Sequence, residues 1–168
     1  ASKDLVLASA VNFYGVDVNE KEVEQFYARM EKADDPRPLS YGINSKLVRG
    51  KDGQLVEQVY KVDGMYGAAL AESVKWLEKA AGVAESPEQK AAIELLIKFY
   101  RTGDLKTWDD FNVAWVKDTK STVDYILGFV EVYNDPMGKR GSYEACVEVN
   151  DPEASRAMSV IMENAQWF

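Results

Sequence analysis

The residue pattern predicts an α+β fold, rich in helix, with a small antiparallel or mixed β-core. Three observations carry this. Five stretches repeat apolar residues at steps of three and four. Two pairs of stretches are rich in β-branched and aromatic residues or alternate in polarity. Within each pair, the strands follow one another across a short turn rather than through a helix, which favours antiparallel pairing.

Taken in order, residues 3–14 hold Leu5, Val6, Ala8, Val11 and Phe13, a short helix that Gly15 would end. Asn19 and Glu22 form a capping-box pattern before a helix over 20–33, with Val23, Phe26, Tyr27 and Met30 on one face. Asp34-Asp35-Pro36 breaks that helix. The stretches 43–49 and 55–62 flank a turn containing Asp52-Gly53, a hairpin signal. Tyr66, Leu70, Val74 and Leu77 make the apolar line of a helix that Gly82 helps end. Ser86, Pro87 and Gln89 open the next helix, and Gly103 closes it. A further helix is expected over 105–117. Two strands follow, over 123–133 and 142–149, across a turn at 134–138. Asn150 or Asp151 caps a last helix with Pro152 in its first turn. Its apolar line is Ala154, Met158, Ile161 and Ala165.

The chain has 168 residues, the size of one domain, and a formal net charge of −8. An acidic surface repels phosphate backbones, so nucleic acid is not an expected partner. No apolar run reaches the ~20 residues that span a bilayer, so no membrane is expected either. One cysteine, Cys146, excludes an intrachain disulfide and fits a reducing compartment. The chain has no histidine, so a His-rich zinc site or a Ser-His-Asp machine cannot be built from it alone. The last residues, Asn164 to Phe168, carry no helix-stop signal and end on two large aromatics. That reads as an internal piece of a longer polypeptide.

Most local motifs are weak. Asp34-Asp35 and Asp109-Asp110 lack the oxygen spacing of a calcium loop and read as solvated surface. Gly138-Lys139-Arg140-Gly141 lacks a full phosphate loop and reads as a turn. Trp76, Trp108, Trp115 and Trp167 read as core packing. Cys146, in a strand without a neighbouring base, reads as structural.

The run 128–144 carries more. Strand alternation would place Phe129, Glu131 and Tyr133 on one face, against Val130 and Val132 on the other. Glu131 and Tyr133 would then stand ~7 Å apart, two strand steps. A carboxylate beside a phenol can grip a cation and an oxyanion of one ligand; a surface Glu and a half-buried Tyr are the plain alternative.

This run resembles the dipeptidyl peptidase III family, whose pattern is Gly-Phe-Ile-Glu-x-Tyr-x-Asp-Pro-x-Gly-x-Arg-Gly followed by an aromatic residue and Glu. Gly128, Phe129, Glu131, Tyr133, Asp135, Pro136, Gly138, Arg140, Gly141, Tyr143 and Glu144 fit it, and Val130 replaces Ile. Trp115 to Asp118 resembles the family's Trp-x-x-Asp segment. The segments 41–47 and 163–168 are similar to its bacterial branch.

The resemblance implies a two-lobed zinc metallopeptidase that releases dipeptides from peptide N-termini. It implies that residues 1–168 are a single fragment of the β-core lobe, with 151–168 starting the crossing toward the zinc lobe. Zinc would then belong to the full-length enzyme and none would be bound by this chain, which alone would be inactive. Glu131 would hold the substrate's ammonium group, Tyr133 would act as a catalytic donor to the oxyanion, and Trp115 would line or support the substrate floor. Asp135, Pro136 and Arg140 would fix the turn that presents Tyr133. Short peptides and the remainder of the parent polypeptide are the implied partners. The compartment would be cytoplasmic or, alternatively, the bacterial periplasm or cell envelope. An open β-edge at the cut would also favour self-association. A non-catalytic peptide-binding or protein-interaction module is the competing reading.

Overall fold

The structure is a computed structural model that describes residues 3–9 and 12–168. Among these residues the helices are α1 (Leu5–Ala8), α2 (Glu20–Ala28), α3 (Gly67–Gly82), α4 (Pro87–Thr102), α5 (Leu105–Lys117) and α6 (Pro152–Glu163). The strands are β1 (Ser45–Arg49), β2 (Leu55–Val59), β3 (Val123–Glu131) and β4 (Ser142–Val149). β1 pairs antiparallel with β2, and β3 with β4. The fold is therefore α+β with small antiparallel sheets.

Local signals fix several boundaries. The Asn19 side chain accepts from the Glu22 N–H, and the Glu22 carboxylate accepts from the Asn19 N–H, a complete capping box at α2. Ser86 caps α4 through the Gln89 N–H at 2.9 Å. Asp151 caps α6. The expected helix over 3–14 is confined to Leu5–Ala8. Beyond it, the Leu47 N–H donates to the Phe13 carbonyl and the Gly15 N–H donates to the Leu47 carbonyl, so Phe13–Gly15 lie extended along β1. Residues 10 and 11, Val11 among them, lie outside the described residues. α2 ends at Ala28 rather than near residue 33.

The core has two parts. The larger packs α3, α4 and α5 against β3, with Leu70, Val74, Ile93, Leu96, Phe99 and Phe129 buried together. Aromatic rings run through it: Phe99–Trp108 at 4.8 Å, Trp108–Phe111 at 5.2 Å and Tyr60–Phe129 at 4.9 Å between centroids. A side-chain carbon at Gly128 would come within 2.6 Å of the Trp108 ring, so glycine lets β3 lie flat on α5. The smaller part gathers Val6, Tyr14, Val18, Val23, Tyr27 and Leu47 beneath the β1–β2 hairpin.

Of the four tryptophans, Trp108 is buried and Trp115 half-buried, as core packing requires. Trp76 and Trp167 are not core residues: they are 62% and 82% exposed. Trp76 lies under the Lys79 ammonium at 4.0 Å instead. The expected apolar face of α6 is also uncovered, with Met158 and Ile161 exposed. On β4, Val147, Val149 and the thiol-bearing Cys146 are exposed as well.

Candidate functional site

β3 and β4 pair regularly from Val123↔Val149 to Phe129↔Tyr143, and then Glu131 stands opposite Ser142. Val130 is therefore an extra residue, a β-bulge. Its cause lies across the chain. The Gly141 N–H donates to the Ile43 carbonyl at 2.9 Å, so β4 starts docked on the segment before β1. No side chain fits there: a carbon at Gly141 would lie 2.8 Å from the Phe129 backbone and 3.0 Å from the Ile43 oxygen. Paired residues share a face, and Ser142 and Tyr143 lie on opposite faces. The register thus carries Glu131 to the face opposite Phe129, which corrects the simple alternation expected from sequence.

β3 also stops at Glu131, two residues short of Tyr133. The Asp135 N–H donates back to the Val132 carbonyl at 3.0 Å, and the chain turns. Tyr133 sits in that turn, 74% exposed, and Glu131 is half-buried. Neither side chain makes a hydrogen bond or ion pair with another described residue. The strand-step spacing of ~7 Å does not carry across the bulge and the turn.

Beneath the turn lies a buried polar cluster. Asp135, 5% exposed, accepts from the Met137 N–H at 3.1 Å, the Lys139 N–H at 2.8 Å, the Arg140 N–H at 2.9 Å and the Tyr14 hydroxyl at 2.9 Å. Arg140 is 0% exposed. Its guanidinium donates to the Gly42 carbonyl at 2.9 Å, the Ser45 hydroxyl at 2.6 Å and the Tyr27 hydroxyl, and lies 3.5 Å from Glu57. It also stands 5.1 Å from the centroids of both the Tyr14 and the Tyr27 rings. Gly42 adopts φ +93, and a side chain there would meet Arg140 Nη1 at 2.9 Å. Burial, followed by the bond to Asp135, pushes the Tyr14 phenol well above its ordinary range. Burial does the same to Tyr27 and outweighs the opposing pull of Arg140. Both hydroxyls therefore stay protonated: Tyr14 donates to Asp135, and Tyr27 donates to Glu57 at 2.5 Å. Burial opposes the Arg140 cation, but the facing Tyr27, Tyr14 and Glu57 oxygens raise its pKa overall.

Sequence reasoning assigned Asp135 and Arg140 to the turn. It missed Tyr14, Tyr27, Ser45 and Glu57. The one usable signal was an Asp and an Arg five residues apart in a segment flanked by core aromatics.

An open groove of about 440 Å³ borders the same region, lined by Phe13, Tyr60, Tyr66, Phe129 and Tyr143 among others. Tyr66 caps α3 in the left-handed conformation, φ 61. That conformation costs a non-glycine residue ~1–3 kcal/mol.

Trp115 is not beside this turn. Its indole N–H donates to Asp124 at 2.8 Å, near the start of β3. Seven strand steps lead from Asp124 to Glu131, roughly 23 Å. Trp115 braces the strand from its far end. Among the described residues no group of three or more His, Cys, Asp or Glu side chains could hold a metal ion, and the chain has no histidine. The described residues do not fit a zinc site.

The sequence profile described as peptidase family M49 matches residues 9–168. Dipeptidyl peptidase 3 of Homo sapiens is 31% identical over 100 residues, 60% of this chain and 13% of that protein. Dipeptidyl peptidase 3 of Dictyostelium discoideum is 29% identical over 117 residues, 70% of this chain and 16% of that protein. The chain therefore spans only a small part of these curated relatives. Two solved structures share the fold. Dipeptidyl-peptidase III from Corallococcus sp. strain EGB gives a TM-score of 0.66 at 22% identity, over 92% of this chain and 28% of that one. DPP III from Caldithrix abyssi gives 0.68 at 23% identity, over 91% and 28%.

Proposed function

This chain belongs to peptidase family M49, and from that premise we propose that it forms the substrate-binding floor of a dipeptidyl peptidase. In this reading residues 1–168 are part of the β-core lobe, with 151–168 leading toward a second, metal-bearing lobe. Zinc belongs to polypeptide outside these residues, and this chain alone does not hydrolyse peptides. No helix among the described residues is long and apolar enough to cross a membrane. The reading places the enzyme in the cytoplasm or, alternatively, in the bacterial periplasm or cell envelope.

Glu131 holds the free ammonium of a peptide. A carboxylate at one end of a cleft measures length by demanding a cation there, and a charge-assisted hydrogen bond contributes ~1.5–3 kcal/mol. Tyr133 donates its phenol to the oxygen that becomes negative as the peptide carbonyl is attacked. Trp115 supports the floor through β3. The observation that carries this reading is that Glu131 at the end of β3 and Tyr133 in the turn after it have no side-chain partner among the described residues, whereas the motif residues Asp135 and Arg140 are buried and bonded.

The test uses the longer protein that contains this chain, with dipeptidyl-naphthylamide substrates and zinc analysis. Tyr133→Phe should lower kcat by ~10²–10³ with little change in KM. Unchanged turnover removes the oxyanion role. A longer protein that binds peptides but hydrolyses none, with or without zinc, establishes the competing reading of a non-catalytic binding module.

A further inference from the structure

We propose that Tyr14 and Tyr27 are positioning residues, whose hydroxyls hold Asp135 and Arg140 and through them set the pose of Tyr133. The proposal rests on the reading of Tyr133 given above and extends it to two residues outside the motif.

The bonds that the turn at 132–140 makes within itself are backbone bonds and bonds to the Asp135 carboxylate. Asp135 gathers the Met137, Lys139 and Arg140 N–H groups, which shapes the loop but does not anchor it. Among the described residues, the one side-chain donor to Asp135 is the Tyr14 hydroxyl, 121 positions earlier. Arg140 is anchored from outside the turn as well, by Tyr27, 113 positions earlier, and by Gly42, Ser45 and Glu57. Tyr27 also bonds Glu57, and Glu57 accepts from Ser45 at 2.7 Å. Tyr14 thus fastens Asp135 to the extended segment beside β1, and Tyr27 fastens Arg140 to α2. Tyr133 itself has no such anchor among the described residues and sits two residues before Asp135.

A tyrosine kept only for its ring would pack as well as phenylalanine. Here both hydroxyls end on the two buried charged residues of one turn, Asp135 and Arg140. Substitution by phenylalanine keeps the ring and removes the hydroxyl's bonds: to Asp135 at Tyr14, and to Arg140 and Glu57 at Tyr27.

The experiment has two arms. In the longer protein, Tyr14→Phe and Tyr27→Phe should each lower kcat about 10-fold or more with KM little changed, since small misplacements of a catalytic group are costly. In a Tyr133→Phe background the same substitutions should lower kcat less than twofold further, because the group they position is already gone. Losses that multiply independently in the double variants overturn the proposal, because a purely structural role gives that result. The second arm does not depend on turnover. In this chain, Tyr14→Phe should speed amide exchange of Met137, Lys139 and Arg140 about 10-fold relative to amides within α4. Unchanged exchange at those three amides overturns the proposal even if the enzyme is active. Faster exchange together with a silent Tyr133→Phe shows that the anchor exists and that the catalytic reading of Tyr133 is at fault.

Discussion

Arg140 and Glu131 sit nine positions apart and meet opposite fates. Arg140 is fully buried; its two terminal nitrogens meet oxygens and its guanidinium lies near two aromatic rings, while its buried Nε–H has no hydrogen-bond partner among the described residues. A buried charge of this kind is tolerable only with such partners. Glu131 has no side-chain partner among the described residues, which leaves its carboxylate's hydrogen-bonding capacity unspent on them. Glu131→Gln keeps shape and removes charge. In the longer protein it should raise KM roughly 10-fold or more for peptides with a free amine and leave N-acetylated peptides unaffected. Comparison of the two substrate sets checks this, and equal losses on both would count against ammonium recognition. At this scale the sequence was readable where a residue's role is local. Asp135 and Arg140 could be assigned to the turn because Asp-Pro and Gly flank them. Their anchors could not, because Tyr14 and Tyr27 are more than a hundred positions away, and Tyr27 reads equally well as a member of the apolar face of α2.

The same division between local and distant causes holds for elements. The capped starts of α2, α4 and α6 were legible because caps act within a few residues, whereas α1 and α2 end earlier than their patterns suggest. The helix expected over 105–117 is α5, Leu105–Lys117. Its N-cap is Asp104, whose carboxylate accepts from the Thr107 hydroxyl and the Thr107 N–H at 2.6 and 2.8 Å. Those bonds, the hydroxyl first, hold the Asp104 carboxyl below its ordinary range. A depressed carboxylate contributes stability that is complete above its unfolded pKa and fades as pH falls through the lower folded value. Asp104→Ala should therefore cost ~0.5–2 kcal/mol near neutral pH. The difference from the parent chain should shrink as pH drops below the ordinary aspartate range. Urea midpoints at neutral and acidic pH check both parts, and a pH-independent difference would exclude the cap as its source. The bulge at Val130 had no comparable signal. It depends on where Gly141 docks against Ile43, a fact of tertiary packing rather than of the strand's own pattern. That is why alternation placed Glu131 on the wrong face.

For the whole molecule, two unlike surfaces decide behaviour in solution. One is the acidic exterior, with a net charge of −8, which repels a second copy at low ionic strength. The other is the uncovered apolar surface of β4 and α6, including Val147, Val149, Met158, Val160, Ile161 and Met162, beside the outer edge of a two-stranded sheet. An open edge with apolar flanks recruits another strand, and burial of apolar area gains ~25 cal/mol per Å² regardless of charge. The repulsion is screened over ~10 Å at 0.1 M salt, whereas the apolar term is not weakened. The two effects thus respond oppositely to salt, which separates this association from one driven by ion pairs. Sedimentation velocity on the 168-residue chain should show self-association that rises with concentration and strengthens between low and physiological salt. Val149→Lys combined with Ile161→Lys should reduce it by placing charge on the contact itself. Association that weakens as salt is added would point to charged contacts elsewhere. A monomer at every concentration would mean that β4 and α6 stay soluble without a cover, and that the charge alone suffices to keep copies apart.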